Sequence, residues 1–143
     1  DHDTNSWTKV PGGFIPNIQR KLIYEVQTLQ DYKDTVVGAD ELIVVVKFYA
    51  KWCGACKAIE PLYKRMAAEH RGNVKFVQVP VSSKNALLHS GLGVPSVPFG
   101  HIYHKNAGLV EEMRIKRQNF HTFEQALQTY VDGQCELKPE LEP

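Results

Sequence analysis

Hydrophobic and polar positions along the chain follow two rhythms. Leu42 to Tyr49 reads LIVVVKFY. An unbroken β-branched run predicts a strand covered on both faces, as in the middle of a sheet flanked by helices. Lys47 is the anomaly in it. Residues 54–70 keep the helical rhythm, with Ile59, Leu62, Tyr63 and Met66 on one stripe. Glu60 and Lys64 form an i, i+4 pair on the other side. Pro61 lies inside this helix and is expected to kink it. Val74 to Val79 predicts a second buried strand. Ser82 or Ser83 is expected to cap a short helix through Leu88, ended by Gly91. Segments 99–104 and 109–116 read as strands joined in a hairpin at Lys105-Asn106-Ala107-Gly108. Thr122 with Gln125 makes a capping box for a last helix, whose stripe is Phe123, Ala126, Leu127, Tyr130 and Val131. Upstream, Leu22 to Val26 predicts a short strand. Thr28 with Asp31 then caps a helix carrying Leu29, Tyr32 and Val36, and Gly38 suits its end.

The order β-α-β-α-β-α-β-β-α implies parallel strands with crossover helices and an antiparallel hairpin at the edge. The fold class is therefore α/β, a three-layer sandwich around a central mixed β-sheet. Residues 1–19 read as a flexible polar lead, 20–133 as the folded domain and 134–143 as a tail.

Composition narrows the function. The 143 residues are 43% hydrophobic and 23% charged, which is globular composition. Seventeen Lys+Arg against sixteen Asp+Glu leave a net charge of +1. Neither nucleic acid nor a membrane surface is indicated as a partner by that balance. The longest apolar run, Leu42 to Val46, is far short of the roughly 20 residues of a membrane span. The chain starts at Asp1, and any targeting segment is expected to have been removed already.

Trp52-Cys53-Gly54-Ala55-Cys56-Lys57 sits where the buried strand hands over to the long helix. Two cysteines at this spacing on a first helical turn have Cβ atoms roughly 5–6 Å apart. A disulfide needs roughly 3.5–4.5 Å, so a small adjustment closes or opens the bond. Closing so small a loop removes little chain entropy, about 2 kcal/mol before strain. The pair is better explained by reversible chemistry than by stapling. Cys53, at the helix N-terminus, is expected to be favoured as a thiolate by free backbone N–H groups and the helix dipole. Lys51 and Lys57 add a small, salt-screened contribution. Cys56, one turn inward, suits the resolving role. A zinc site would need two further ligands, for which Cys135 and the six histidines are the candidates. None has a second paired spacing. His101 and His104 point to opposite faces of a strand and are expected at the surface.

These residues resemble the thioredoxin family. FYAKWCGACK, the proline in the following helix, the Gly-Val-Pro-Ser-Val-Pro loop, the hairpin and the final helix appear in the family's order over roughly residues 20–133. The resemblance implies a thioredoxin-like fold and an enzyme, a protein-disulfide oxidoreductase. It needs no cofactor beyond a redox-active Cys53–Cys56 disulfide, and no metal. Cys53 would be the nucleophile and Cys56 the resolving thiol. Trp52 would flank the sulfurs, with Gly54 and Ala55 between them. Pro98 would be a cis-proline, with Val97 before it free to pair with an extended substrate segment; Pro95 competes for that place. Partners would be disulfide-bearing proteins and an upstream reductase or reduced thiol donor, acting on a monomer. The long N-terminal lead and the histidine content resemble plastid-type thioredoxin-like proteins, implying an intracellular, plastid location.

Three residues depart from the family's pattern. Ala55 stands where a proline is usual, which frees the backbone and shifts the redox balance. Lys47 stands where the family has a buried Asp, and Gln78 where that Asp has a Lys partner. A lysine cannot serve as the same base. Buried and cationic, it would favour a Cys56 thiolate; burial alone would push it toward the neutral amine. The expected outcome is snorkelling, with only the stem inside. Cys135 stands where the family has no cysteine, and is expected to be idle. These departures keep a second reading open, a redox-sensing regulatory or binding module with limited general reductase activity, and a zinc adaptor is the third.

Overall fold

A computed structural model describes residues 7–16, 21–70 and 72–133. The apolar run of the sequence becomes β4 once the short strands before it are counted: β1 (Trp7–Val10), β2 (Gly13–Pro16) and β3 (Tyr24–Glu25). β1 and β2 pair as an antiparallel hairpin of their own, inside the stretch that composition had marked as a flexible lead. Gly12, at φ 91°, takes the left-handed conformation that its tight turn requires.

The main sheet has five strands in the order β3-β5-β4-β6-β7. β4 (Ile43–Tyr49) and β5 (Val74–Pro80) are parallel, and β3 lies parallel to β5 at the rim. β6 (Phe99–His104) runs antiparallel to β4, and β7 (Gly108–Arg114) antiparallel to β6. β4 is buried from Ile43 through Phe48, as its unbroken β-branched pattern requires.

Alternation along β4 divides the core. Ile43 and Val45 face one layer, where α2 (Gly54–Glu69) contributes Ile59, Tyr63 and Met66, and α4 (Phe120–Asp132) contributes Phe123 and Leu127. Val44, Val46 and Phe48 face the other, against Tyr32 of α1 (Leu29–Tyr32) and Leu88 of α3 (Ala86–Gly91). A π-helical turn over Lys33–Val37 prolongs α1 to Gly38. The Thr28 cap forms as the sequence implies, with the Asp31 N–H donating to its hydroxyl at 3.0 Å. α2 runs through Pro61, which offers no N–H to the Lys57 carbonyl.

Two helix starts differ from the sequence reading, and the strand predicted over Leu22–Val26 shrinks to Tyr24–Glu25. The short helix begins at Ala86, not at Ser82 or Ser83, because Asn85 holds the turn before it. Asn85 Oδ1 accepts the Ser82 N–H at 2.8 Å, and its Nδ2 donates to the Pro80 carbonyl at 2.7 Å. The last helix begins at Phe120, before Thr122. A 3₁₀ turn over Arg117–Asn119 feeds it, closed by the Lys116 N–H donating to Asn119 Oδ1 at 2.6 Å.

His101 and His104 are not surface residues. His101 is fully buried and His104 nearly so. β6 lies inside the sheet between β4 and β7, with Ile102 packed into the α2–α4 layer on one face and Phe99 into the Tyr32–Leu88 layer on the other. The His101 ring packs edge-on against Phe48 and Phe99, and its Nδ1 lies 3.1 Å from the Tyr103 hydroxyl. Burial pushes its imidazole down to about 4, so it sits in the core as the neutral ring.

Candidate active site

β4 ends at Tyr49, and three further residues carry the chain to the head of α2. Cys53 is the N-cap of that helix, with extended backbone at φ −92° and ψ 118°. Its Sγ takes the place of the usual capping oxygen and accepts the Cys56 N–H at 3.1 Å. The turn is closed by the Cys53 N–H donating to the Ala50 carbonyl at 3.2 Å. Cys53 is half-buried and Cys56 buried, and both are free thiols. Gly54 and Ala55 form the exposed first turn between them. Trp52 is 77% exposed beside the turn.

Cys56 Sγ accepts the Ala50 N–H at 3.5 Å. Burial pushes the Cys56 thiol up to about 11, helped by its bond to the Cys53 sulfur. The Ala50 N–H and, more weakly, Lys47 act against that rise.

Val97–Pro98 is the cis peptide bond of the described chain. Pro98 is buried, Val97 half-buried and Pro95 exposed. Phe99, which follows Pro98, pairs with Phe48 near the end of β4. That register brings Val97 and Pro98 to the same end of the sheet as the cysteine turn.

Lys47 does not snorkel. It is only 2% exposed, and its Nζ lies 4.8 Å from the centroid of the Tyr63 ring and 5.0 Å from that of Tyr49. Two aromatic faces hold the ammonium inside, where a surface route was expected. Gln78 and Glu25 complete its surroundings. Register places Glu25, Gln78, Lys47, Gly100 and Met113 in one row across the sheet. Gln78 Nε2 donates to Glu25 Oε1 at 3.0 Å, and the Tyr49 hydroxyl donates to the same oxygen at 3.2 Å. A cavity of about 350 Å³ opens here, with Lys47 and Cys56 on its wall and Glu25, Lys57 and Glu60 at its exposed edge.

Glu25, Tyr49 and Tyr63 were not singled out for chemistry in the sequence. The signal for Tyr63 was its place on the apolar stripe of α2, facing β4. Glu25 carries no local signal, since its place depends on β3 joining the sheet through β5.

Among the described residues, no group of three or more His, Cys, Asp or Glu is placed to hold a metal ion. Cys135 lies outside the described residues. No helix of the described chain is long and apolar enough to cross a membrane.

The thioredoxin family model matches residues 24–129. The chain is 32% identical to thioredoxin domain-containing protein 8 of Rattus norvegicus over 97 residues, 67% of this chain and 74% of that one. It is 30% identical to the chloroplastic thioredoxin-like 1-1 of Arabidopsis thaliana over 115 residues. That match covers 80% of this chain but only 41% of the Arabidopsis protein. Among solved structures, thioredoxin f from spinach chloroplast (long form) superposes with a TM-score of 0.68 at 28% identity, covering 76% of this chain and 86% of that one. Thioredoxin f2 in a complex with ferredoxin:thioredoxin reductase gives 0.62 at 26%, covering 74% and 94%.

Proposed function

Because the chain belongs to the thioredoxin family, with that family's fold and its general thiol–disulfide oxidoreductase character, we propose that it reduces or exchanges protein disulfides through a reversible Cys53–Cys56 couple. One observation carries this reading. The Cys53 sulfur occupies the N-cap of α2 and accepts the Cys56 amide. There the sulfur meets the first-turn N–H rather than a carbonyl, and its partial exposure leaves it open to a partner disulfide.

The Cys53 thiolate attacks one sulfur of a partner disulfide and releases the other as a thiolate. Cys56 then attacks Cys53 and frees the partner in reduced form. Trp52, exposed beside the turn, and Val97 with Pro98, at the same end of the sheet, supply the surface on which a partner segment lies. The protein acts as a monomer on disulfide-bearing proteins. An upstream reductase restores the dithiol, as the complex of thioredoxin f2 with ferredoxin:thioredoxin reductase illustrates. The chloroplastic relatives support a plastid location.

Mutation separates the two sulfurs. Cys53→Ser abolishes reduction of a protein disulfide such as insulin's. Cys56→Ser traps partners as mixed disulfides on Cys53. Full activity in both variants would rule the mechanism out. A second reading, a redox-sensing module with limited general reductase activity, is favoured by the buried lysine beneath Cys56. Slow insulin reduction together with capture of a few partners by Cys56→Ser would decide for it.

A further inference from the structure

A buried lysine on the wall that carries a buried thiol is costly to keep unless its charge has a use. Lys47 and Cys56 share the cavity beneath the cysteine turn. The ammonium has a fixed seat between the Tyr49 and Tyr63 rings. The Tyr63 ring is itself pinned, since its hydroxyl donates to the Val77 carbonyl at 2.7 Å and the Val45 carbonyl at 3.2 Å. The carboxylate nearest in the sheet row, Glu25, is taken up by Gln78 and Tyr49.

We propose that Lys47 is a positioning residue for the second half of the exchange, its buried ammonium serving as a fixed positive charge that stabilises the Cys56 thiolate as it forms. This rests on the reading of Cys53 as nucleophile and Cys56 as resolving thiol. In the step, the Cys56 thiol gives its proton to water at the cavity edge, and Lys47 keeps its own protons. The Cys56 thiolate donates its electron pair to Cys53 Sγ. The Cys53–Cys56 bond forms, and the bond from Cys53 to the partner sulfur breaks. The partner sulfur leaves with the electron pair of the broken bond and takes a proton from solvent. Over both steps the partner disulfide gains two electrons and the dithiol loses two.

The charges around Lys47 set the balance. Burial pushes its amine below the ordinary lysine range, while Glu60 of α2, Cys56, and Glu25 of β3 pull it back up, against Lys64. Lys51 and Lys57 add positive charge at the cavity edge, and Gln78 of β5 adds none. Tyr49 and Tyr63 stay uncharged, because burial pushes both phenols up.

The test uses dithiobis(nitrobenzoate), which releases one coloured thiolate when Cys53 attacks and a second when Cys56 resolves. Both releases are followed by stopped flow in a Cys135→Ser background. Cys56→Ser should release only the first; two releases from it would sink the nucleophile and resolving assignments, whatever Lys47 does. Lys47→Met should keep the first release and slow the second. Loss of the charge raises the Cys56 thiol, and each unit of rise cuts its thiolate about tenfold while the gain in nucleophilicity returns about threefold. The second release should therefore slow by up to about threefold near neutral pH, with its pH midpoint moved upward. Lys47→Gln carries the same expectation should the Met variant not fold. Lys47→Arg should stay close to the unaltered protein, and Lys47→Glu should be slowest. A second release of unchanged rate and midpoint in the neutral variants overturns the proposal. So does equal slowing in Arg and Met, which would mark a packing role, or a fast Glu variant, which would mark a proton acceptor.

Discussion

Gly100 and Phe123 share one site. A β-carbon on Gly100 would lie 2.6 Å from Cε1 and 2.7 Å from Cζ of the Phe123 ring. Phe123 is fully buried, so the ring has little room to retreat. Gly100→Ala should destabilise the fold by about 1–3 kcal/mol, the usual range for overpacking. Urea unfolding checks this, and an unchanged midpoint would show that the α4 layer yields freely.

The Tyr63 hydroxyl ties the α2 layer to two strands at once, through the Val45 and Val77 carbonyls. Tyr63→Phe keeps the ring under Lys47 and removes both bonds. The expected loss is about 1–2 kcal/mol, with disulfide exchange retained. Denaturant unfolding measures the first and insulin reduction the second.

Cys56 should resist alkylation where Cys53 does not. Burial pushes its thiol up to about 11, so little thiolate is present near neutral pH. Peptide mass spectrometry after brief iodoacetamide treatment of the reduced Cys135→Ser protein should find Cys53 labelled. Label on Cys56 should appear only in strongly alkaline buffer. Equal early labelling of both would contradict the burial argument.

Stability should depend on pH through His101. The folded value is about 4 against an ordinary 6.5. Between these values the unfolded chain binds a proton that the folded chain does not. Stability is therefore fully present above 6.5 and falls as the pH drops toward 4. His89, also pushed down by burial, contributes in the same direction. Urea midpoints across this window should fall with pH. His101→Gln should flatten the slope without removing it, and an undiminished slope would exclude His101 as the source.

What the sequence made legible was whatever rests on near neighbours. The cysteine turn depends on a strand, a cap and a first helical turn, all within Ile43 to Lys57, and each leaves its own pattern. β4 was readable because residues buried on both faces must be apolar nearly throughout. The start of α4 was not, because Lys116 and Asn119 build their turn with polar atoms that resemble any loop. His101 and Lys47 failed for a different reason. The rings that reveal their burial lie far off in sequence, Phe48 for one and Tyr63 for the other. Snorkelling is the better guess for a lone lysine on a strand; only the packed α2 layer reveals an aromatic seat. Glu25 was invisible because two residues of rim strand have no periodicity to read.

That rim strand has a mechanical consequence. β3 gives the sheet only Tyr24 and Glu25, with the Val26 amide adding one more tie, to Gln78. It is the least anchored parallel strand, yet it holds one end of the polar row that leads inward to Lys47. Those few ties hold the Glu25 carboxylate where it pulls the Lys47 amine up, while α2 is anchored independently of them. The electrostatic setting of the lysine beside Cys56 thus depends on the border of the domain.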